Sequence, residues 1–301
     1  MKKFFILLII NLIYFSLFAQ KPQVSAGKLD FYENFPSKLV KPRNIAVWLP
    51  ENYSPKKKYA VLYMHDGQNL FDSTITFNKQ EWGIDETISK LQKEGIIKEC
   101  IVVGIWNTTY RRQEYYPAKA FYNIPKHWQD SLLIDMGADK KTQPLSDNYL
   151  SFIVSELKPF IDKNYSTKTN RKNTFISGSS MGGLISLYAI CEYPKIFGGA
   201  ACISTHWAGS VYRNKPEIAN GFIEYMKKYL PSPKTHKIYF DYGTETLDAW
   251  YKPYQLLADE VMKQKGFNTK NWMTKEFVGA EHNEKSWQER FDIPARFILK
   301  K

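Results

Sequence analysis

The most informative segment of the chain reads Thr174-Phe-Ile-Ser-Gly-Ser-Ser-Met-Gly-Gly183. Its apolar start predicts a short buried strand, and Gly183–Glu192 has the pattern of a helix. Between them, Gly178 to Gly182 fits G-x-S-x-G in the strand–turn–helix setting of a nucleophile elbow. The two glycines permit the sharp turn that would lift the Ser180 hydroxyl above the edge of the sheet. We therefore interpret Ser180 as a nucleophile, the alternative being an ordinary glycine-rich turn.

Short apolar runs alternate with helical patterns on both sides of this segment. The predicted strands are Asn44–Leu49, Tyr59–Met64, Cys100–Ile105, Thr174–Ser177, Ala200–Ser204, Lys237–Phe240 and Trp272–Phe277. The predicted helices are Glu86–Glu94 after an Asp85 cap, residues 147–163, and Pro253 to Gly266. Continuously apolar strands suit a sheet that helices cover on both faces. The sequence therefore predicts an α/β fold, with a mostly parallel, doubly wound sheet in a single domain.

The first 19 residues have the composition of an export signal. Two lysines precede an apolar run from Phe4 to Phe18, and the small residue Ala19 ends it. The run is shorter than the roughly 20 apolar residues that a membrane-spanning helix needs, and no later stretch is long enough. We therefore predict a signal peptide over residues 1–19 and a mature domain over residues 20–301. A secreted or periplasmic location without stable membrane insertion is expected.

The composition excludes several classes of protein. Hydrophobic residues make up 44% of the chain and aromatic residues 16%, which is too much for a disordered protein. Three cysteines can form at most one disulfide, so the chain is not a disulfide scaffold. C-x-x-C and H-E-x-x-H patterns are absent, so we expect no metal site and no cofactor. The net charge of +12 comes from scattered basic residues, and a nucleic-acid partner is not expected.

Residues 108–144 show little periodicity over a length that is unusual for a plain loop. The segment contains six aromatic residues, Tyr110, Tyr115, Tyr116, Phe121, Tyr122 and Trp128, and two arginines, Arg111 and Arg112. It is either an insertion packed on the surface or a partial lid whose aromatic faces shape a substrate pocket. In the second interpretation Arg112 and Tyr115 are candidate substrate-binding residues. Arg111 and Arg112 would also suit an anionic ligand.

A nucleophilic serine needs a general base, and on such a fold the chain order is serine, acid, histidine. His65 and His127 precede the serine. His206 follows the next strand too closely to leave room for an acid, and His236 lies at the wrong end of a strand. His282 comes shortly after the last predicted strand. We therefore interpret His282 as the base that takes the serine proton and returns it to the leaving alcohol.

The acid is expected in the loop after the strand Lys237–Phe240. Asp241, Glu245 and Asp248 are the carboxylates in this region. Asp241 adjoins the strand end, which favours a structural role. Either of the other two could orient the imidazole and stabilise its charged form. The residues by themselves do not decide whether Glu245 or Asp248 is the acid.

Four segments follow one another along nearly the whole chain: Tyr63-Met-His-Asp-Gly-Gln-Asn-Leu-Phe71, Val103-Gly-Ile-Trp-Asn107 with Arg112 and Glu114-Tyr115, Ser177-Gly-Ser-Ser-Met-Gly-Gly183, and Gly279-Ala-Glu-His-Asn283 with Trp287. Together they resemble the putative-esterase family of α/β-hydrolases. This family includes esterase D, feruloyl and acetyl-xylan esterases, siderophore esterases and mycolyltransferases. The resemblance implies an α/β-hydrolase fold and a serine esterase activity.

The resemblance also assigns roles to particular residues. The residue after the Asp-Gly pair, Gln68, is expected to give one backbone N–H to an oxyanion hole, and Met181 at the helix start gives the other. Relatives carry the acid three or four residues beyond the glycine of a Gly-Thr turn, and Asp248 is the carboxylate we choose near those positions. The family often has a proline after the serine of Ile203-Ser204. This chain has Thr205 in place of that proline. The difference makes Trp207, two residues later, a candidate for the substrate pocket, although a core position is the alternative.

These features predict an exported serine esterase whose partner is a small-molecule or oligosaccharide ester. Export and the aromatic segment favour acetyl or feruloyl esters on carbohydrate. A siderophore ester of the catecholate trilactone type, or transfer of the acyl group to another alcohol, stays open. The alternative from another class is a catalytically silent module that binds glycans.

Overall fold

The computed structural model of the protein describes residues 20–137 and 143–301. The predicted signal peptide, residues 1–19, lies outside the described residues and stays a prediction. Within the described ranges, no helix is both long enough and apolar enough to cross a lipid bilayer.

A single eight-stranded sheet forms the centre of the fold. In chain order its strands are β1 Lys28–Phe35, β2 Arg43–Leu49, β3 Ala60–His65, β4 Cys100–Ile105, β5 Thr174–Ser179, β6 Gly199–Ile203, β7 Lys237–Gly243 and β8 Trp272–Phe277. They are hydrogen-bonded in the order β1-β2-β4-β3-β5-β6-β7-β8. β2 runs antiparallel to both β1 and β4, and the strands from β4 across to β8 are parallel.

The sequence predicts every one of these strands except β1. Only Leu29 and Phe35 of this strand are buried, because it lies at the edge of the sheet with a single neighbour. An edge strand that shows most side chains to solvent lacks the continuous apolar run that marks a strand covered on both faces. The pattern that identifies the other strands therefore does not extend to β1.

The α-helices of the described residues are α1 Ile84–Lys93, α2 Arg111–Tyr115, α3 Ala118–Phe121, α4 Lys126–Asp135, α5 Ser146–Phe152, α6 Lys158–Asn164, α7 Met181–Glu192, α8 Pro216–Tyr229, α9 Lys252–Gln264, α10 Glu284–Arg290 and α11 Asp292–Ile298. A π-helical turn, Ile153–Leu157, joins α5 to α6, so the predicted helix at 147–163 contains one wider turn. Asp85 is not the cap of α1. It lies inside the first turn, where its carboxylate accepts hydrogen bonds from the backbone N–H groups of Ser25 and Ala26.

Helices cover both faces of the sheet, and alternate residues of a strand divide between the two faces. In β3, Val61 and Tyr63 belong to the larger apolar cluster, which includes side chains of α5, α7 and α8. Leu62 and Met64 belong to the cluster on the other face, with side chains of α1 and α11. The predicted α/β-hydrolase fold, with a mostly parallel doubly wound sheet and helices on both faces, is confirmed.

The aromatic-rich segment at 108–144 folds into α2, α3 and α4 as far as it is described. Tyr115, Tyr116 and Phe121 are buried in the larger apolar cluster, whereas Tyr122 is 54% exposed. The segment therefore packs on the body of the protein. Its Arg112 also lines a crevice beside Met181.

Parallel strands bring residues from distant parts of the chain to one edge of the sheet. Gln68 follows β3, Ser180 follows β5, Asp248 follows β7 and His282 follows β8. Loops at the carboxyl ends of parallel strands are where α/β folds hold their ligands. This edge therefore holds the candidate active site.

Candidate active site

Ser180 occupies a strained turn between β5 and α7. Its backbone angles are φ 56° and ψ −122°, a region that residues with a side chain rarely adopt. A Cβ on Gly178 would lie 2.9 Å from the backbone of Gly182, so the two glycines of the motif approach too closely for a side chain between them. The backbone N–H of Ser180 donates to the carbonyl oxygen of Ile203 on the next strand at 2.9 Å. The turn is the elbow that the sequence pattern predicts.

His282 and Asp248 are in close polar contact at this edge of the sheet. Nδ1 of His282 lies 2.5 Å from Oδ1 of Asp248, and the backbone N–H of His282 donates to Oγ1 of Thr246 at 2.9 Å. With Nδ1 donating to the carboxylate, Nε2 is left as the proton acceptor. Glu245 is exposed, and within the described ranges its side chain bonds no residue but its neighbour Thr244. Of the two carboxylates left open by the sequence, the structure brings Asp248 to the imidazole.

The Asp248 carboxylate is fully buried and carries a full set of donors. Its Oδ2 accepts hydrogen bonds from the Ser204 hydroxyl and from the backbone N–H of Gly243, both at 2.6 Å. Burial by itself raises the pKa of Asp248, but the hydrogen bond and charge of His282, together with these two donors, hold that pKa below its ordinary value. Asp248 is therefore an anion in the neutral range, which is the state that stabilises an imidazolium.

Ser204 and Arg290 form a polar layer beneath Asp248. The Ser204 hydroxyl accepts from Nε1 of Trp287 at 2.9 Å and from Nη2 of Arg290 at 2.7 Å, which orients its own proton toward Asp248. Arg290 also lies 3.1 Å from the Asp241 carboxylate. Burial raises the pKa of Asp241, and the Arg290 charge opposes that rise. The same guanidinium lies 3.8 Å from the Asp248 carboxylate, so one buried cation offsets the charge of two buried carboxylates.

The sequence gives no signal for this layer. Ser204 and Arg290 are 86 positions apart, and neither belongs to a pattern that indicates a buried ion pair. Asp241 has the structural role that the sequence favours, although it lies within β7 and not at its end. Only the fold brings the three side chains together.

Arg290→Met should lower the free energy of unfolding by about 3–5 kcal/mol, because it leaves buried carboxylates without their cation. The matched control is Arg296→Met on α11, since Arg296 is more than a third exposed and pairs with Asp292 at the surface. That change should cost less than about 1 kcal/mol. Urea unfolding of both variants measures the difference, and equal losses would contradict the role given to Arg290.

The two candidate oxyanion donors are free to bind a ligand. Among the described residues, the backbone N–H groups of Gln68 and Met181 have no hydrogen-bond acceptor. Met181 is the first residue of α7, where such groups point out of the helix. Gln68 lies in the short turn after Asp66, and it is Asp66 whose backbone has the positive φ of 55°.

Asp66 holds that turn through a partly buried ion pair. Arg111 donates Nε and Nη2 to the two carboxylate oxygens, each at 2.7 Å, and Nδ2 of Asn107 donates at 2.6 Å. Burial by itself raises the pKa of Asp66, but Arg111 and Asn107 hold it below its ordinary value. A Cβ on Gly67 would lie 2.6 Å from the Gly104 backbone, so only glycine fits there. Arg111, considered for an anionic ligand, already has its anion within the protein.

Tyr251 is a neighbour of the nucleophile that the sequence does not indicate. Its hydroxyl lies 2.6 Å from Nδ1 of His206. Burial and the Asp248 charge raise the pKa of Tyr251 well above its ordinary value, and the nearby Ser180 side chain opposes the rise. Burial also lowers the pKa of His206 to about 3, so both rings stay uncharged. A neutral phenol can orient the Ser180 hydroxyl without competing with His282 as a base.

The three candidate substrate-binding residues have different surroundings. Arg112 is exposed and lines a narrow crevice of about 30 Å³ together with Met181 and His206. Tyr115 is fully buried, and its hydroxyl accepts the backbone N–H of Asp66 at 3.3 Å. Trp207 is fully buried and donates Nε1 to Gln255 at 2.8 Å. The expectation that Tyr115 and Trp207 contact substrate is therefore corrected: their ring surfaces are used for packing.

No group of three or more His, Cys, Asp or Glu side chains in the described residues has an arrangement that could hold a metal ion. Cys100, Cys191 and Cys202 are buried and unbonded to one another. Burial raises the pKa of the Cys100 thiol to about 12, so this thiol is inert in the neutral range.

Comparison with known proteins identifies the family of this chain and several relatives. The family described as "Putative esterase" matches residues 37–297 of the chain. The uncharacterized protein YbbA of Bacillus subtilis is 25% identical over 257 residues, which are 83% of this chain and 89% of YbbA. The ferri-bacillibactin esterase BesA of the same organism is 26% identical over 192 residues, covering 62% of this chain and 60% of BesA.

A solved structure with a similar fold is that of a CE1 ferulic acid esterase from Anaeromyces mucronatus. The two structures superpose with a TM-score of 0.58 at 18% sequence identity. The alignment covers 93% of this chain and 94% of the ferulic acid esterase chain. At this level of identity the likeness concerns the fold.

Proposed function

Because the chain belongs to the putative esterase family, it is an ester hydrolase, and we propose that it cleaves carboxylic esters by serine catalysis. Ser180 is the nucleophile, His282 the general base and then the general acid, and Asp248 the group that orients His282. The proposal rests above all on the 2.5 Å contact between His282 and a fully buried Asp248, at the sheet edge that carries the Ser180 elbow.

The proposed reaction has two steps. Oγ of Ser180 attacks the ester carbonyl while its proton passes to Nε2 of His282, and the carbonyl oxygen becomes an oxyanion. The backbone N–H groups of Gln68 and Met181 stabilise that oxyanion. The intermediate collapses when the bond to the leaving alcohol breaks and Nε2 returns the proton to it. Water, deprotonated by His282, then attacks the acyl-enzyme and releases the acid.

The substrate that we propose is an acylated carbohydrate carrying acetyl or feruloyl groups. Two considerations support it: the predicted export signal places the enzyme where polysaccharides are found, and a ferulic acid esterase has a similar fold. The crevice next to Met181 is narrow, about 30 Å³, which favours the smaller acetyl group. A siderophore ester is the second candidate because the relative BesA is a ferri-bacillibactin esterase. The pairing of Arg111 with Asp66 removes one cation that an anionic siderophore could use.

Hydrolysis of a panel of esters tests the proposal. The purified protein should react with a fluorophosphonate probe, whose phosphorus bonds to the serine oxygen as fluoride leaves. It should also release acetate from acetylated xylan at least tenfold faster than it opens a catecholate trilactone. A folded protein that the probe does not label would favour the silent glycan-binding module. Preference for the trilactone would favour the siderophore. Export is tested separately, by the N-terminal sequence of the protein recovered outside the cytoplasm, which should begin near residue 20.

A further inference from the structure

A second cleft lies at the opposite edge of the sheet from Ser180. It has a volume of about 570 Å³ and is formed where β5, β6, β7 and β8 begin. The six residues of β5, from Thr174 to Ser179, separate it from the elbow, a distance of about 20 Å at 3.3 Å per residue. Six cationic side chains line it, and we call it the basic cleft: Lys98, Arg171, Lys172, Lys234, Lys237 and Lys270.

No carboxylate neutralises these cations. None of the residues that line the basic cleft is acidic, and within the described parts of the chain none of the six cations forms an ion pair. Elsewhere the surface cations of this protein do find partners: Lys57 pairs with Glu99, and Lys252 pairs with Glu276. The basic cleft is therefore a local concentration of uncompensated positive charge.

Two lysines of the basic cleft have lowered pKa values, because burial and neighbouring positive charges disfavour their charged forms. Burial and the charges of Lys237, Lys168 and Lys172 lower the pKa of Lys98, and burial with the charge of Lys300 lowers the pKa of Lys237. Both lysines are half-buried, so water screens their repulsion incompletely.

Arg171 adds a polar group without a partner. Its Nε is buried without a hydrogen-bond acceptor. Buried donors are normally paired, so this guanidinium is incompletely satisfied by the protein itself.

The neutral groups of the cleft are donors as well. Asn268, Asn271 and Thr235 lie among the cations, and amide and hydroxyl groups can donate to oxyanions. A cavity of this volume accepts a ligand of ordinary small-molecule size. Six positive charges in that space exceed what a single carboxylate or phosphate balances. A ligand with several phosphate groups carries enough negative charge to balance six cations in a space of this size. Guanidinium and ammonium groups bind phosphate through charge-assisted hydrogen bonds.

We propose that the basic cleft is a binding site for a compact ligand that carries several phosphate groups. The site is separate from the esterase centre, and neither Ser180 nor His282 takes part in it. The ligand neutralises the crowded lysines. The proposal does not depend on which ester the enzyme cleaves.

Inorganic tripolyphosphate is the probe for this site. Titration calorimetry at low ionic strength should show tripolyphosphate binding at least tenfold more tightly than orthophosphate. Lys98→Met/Lys237→Met should weaken tripolyphosphate binding at least tenfold. The same variant should hydrolyse esters at the wild-type rate.

The control removes the same charge elsewhere. Lys38→Met/Lys90→Met changes two exposed lysines outside the basic cleft and should bind tripolyphosphate within twofold of the wild type. Equal weakening in both variants would mean that net charge alone attracts the anion, and the proposal would be wrong. Unchanged binding in the Lys98/Lys237 variant, or tighter binding of the carboxylate polymer polygalacturonate than of tripolyphosphate, would overturn it too.

Discussion

Ser180→Ala should reduce kcat by about 10⁴–10⁶-fold and abolish labelling by a fluorophosphonate. The hydroxyl that would form the acyl-enzyme is removed, and His282 and the two oxyanion donors cannot replace it. The backbone at this position already has a positive φ of 56°, and alanine meets the same steric conditions as serine. The loss should therefore appear in turnover and not in the circular dichroism spectrum or the midpoint of unfolding.

The neighbouring serine provides the matched control. Ser179 is the last residue of β5 and is buried, so Ser179→Ala makes the same chemical change one residue earlier. This variant should keep its probe labelling and turn over within about threefold of the wild type. If Ser179→Ala lost the label while Ser180→Ala kept it, the assignment of the nucleophile would be wrong.

The sequence predicts the strands whose residues are all buried, and it also predicts β8, in which no residue is buried. β4 and β5 are buried at every position, and such runs contrast with the polar loops around them. β1 and the short helices α10 and α11 were not predicted from the sequence, because their side chains are divided between the body and solvent. Amphipathic elements this short contain too few repeats to establish a period.

The same division applies to the active-site edge. Ser180 and His282 could be proposed from the sequence because each occupies a fixed place relative to a recognisable strand. The partners of Asp248 could not, because Ser204, Trp287 and Arg290 reach it from other loops and from α10. Trp207 and Tyr115 were misplaced for a related reason: an aromatic residue near a site has the same sequence whether its ring faces the ligand or the core.

Asp248→Asn should lower kcat by about 10⁴-fold with little change in KM. Oδ2 of Asp248 accepts two hydrogen bonds, from the Ser204 hydroxyl and the Gly243 N–H. The Ser204 proton points there because Trp287 and Arg290 donate to the same hydroxyl. An asparagine must therefore turn its carbonyl oxygen toward these donors and its NH₂ group toward His282. Nδ1 of the imidazole then becomes an acceptor, Nε2 carries the proton, and the ring cannot take the proton of Ser180.

The matched variant is Glu245→Gln, which makes the same carboxylate-to-amide change three residues earlier. Glu245 is exposed, and the only side chain it bonds among the described residues is that of Thr244, so its kcat should stay within about twofold of the wild type. Steady-state kinetics on one ester, with the rate of fluorophosphonate labelling as a second measure of nucleophile activation, compare the two. A greater loss in Glu245→Gln than in Asp248→Asn would move the acid to Glu245. That result would require the loop at 244–248 to rearrange during catalysis, since Asp248 already fills the position beside Nδ1.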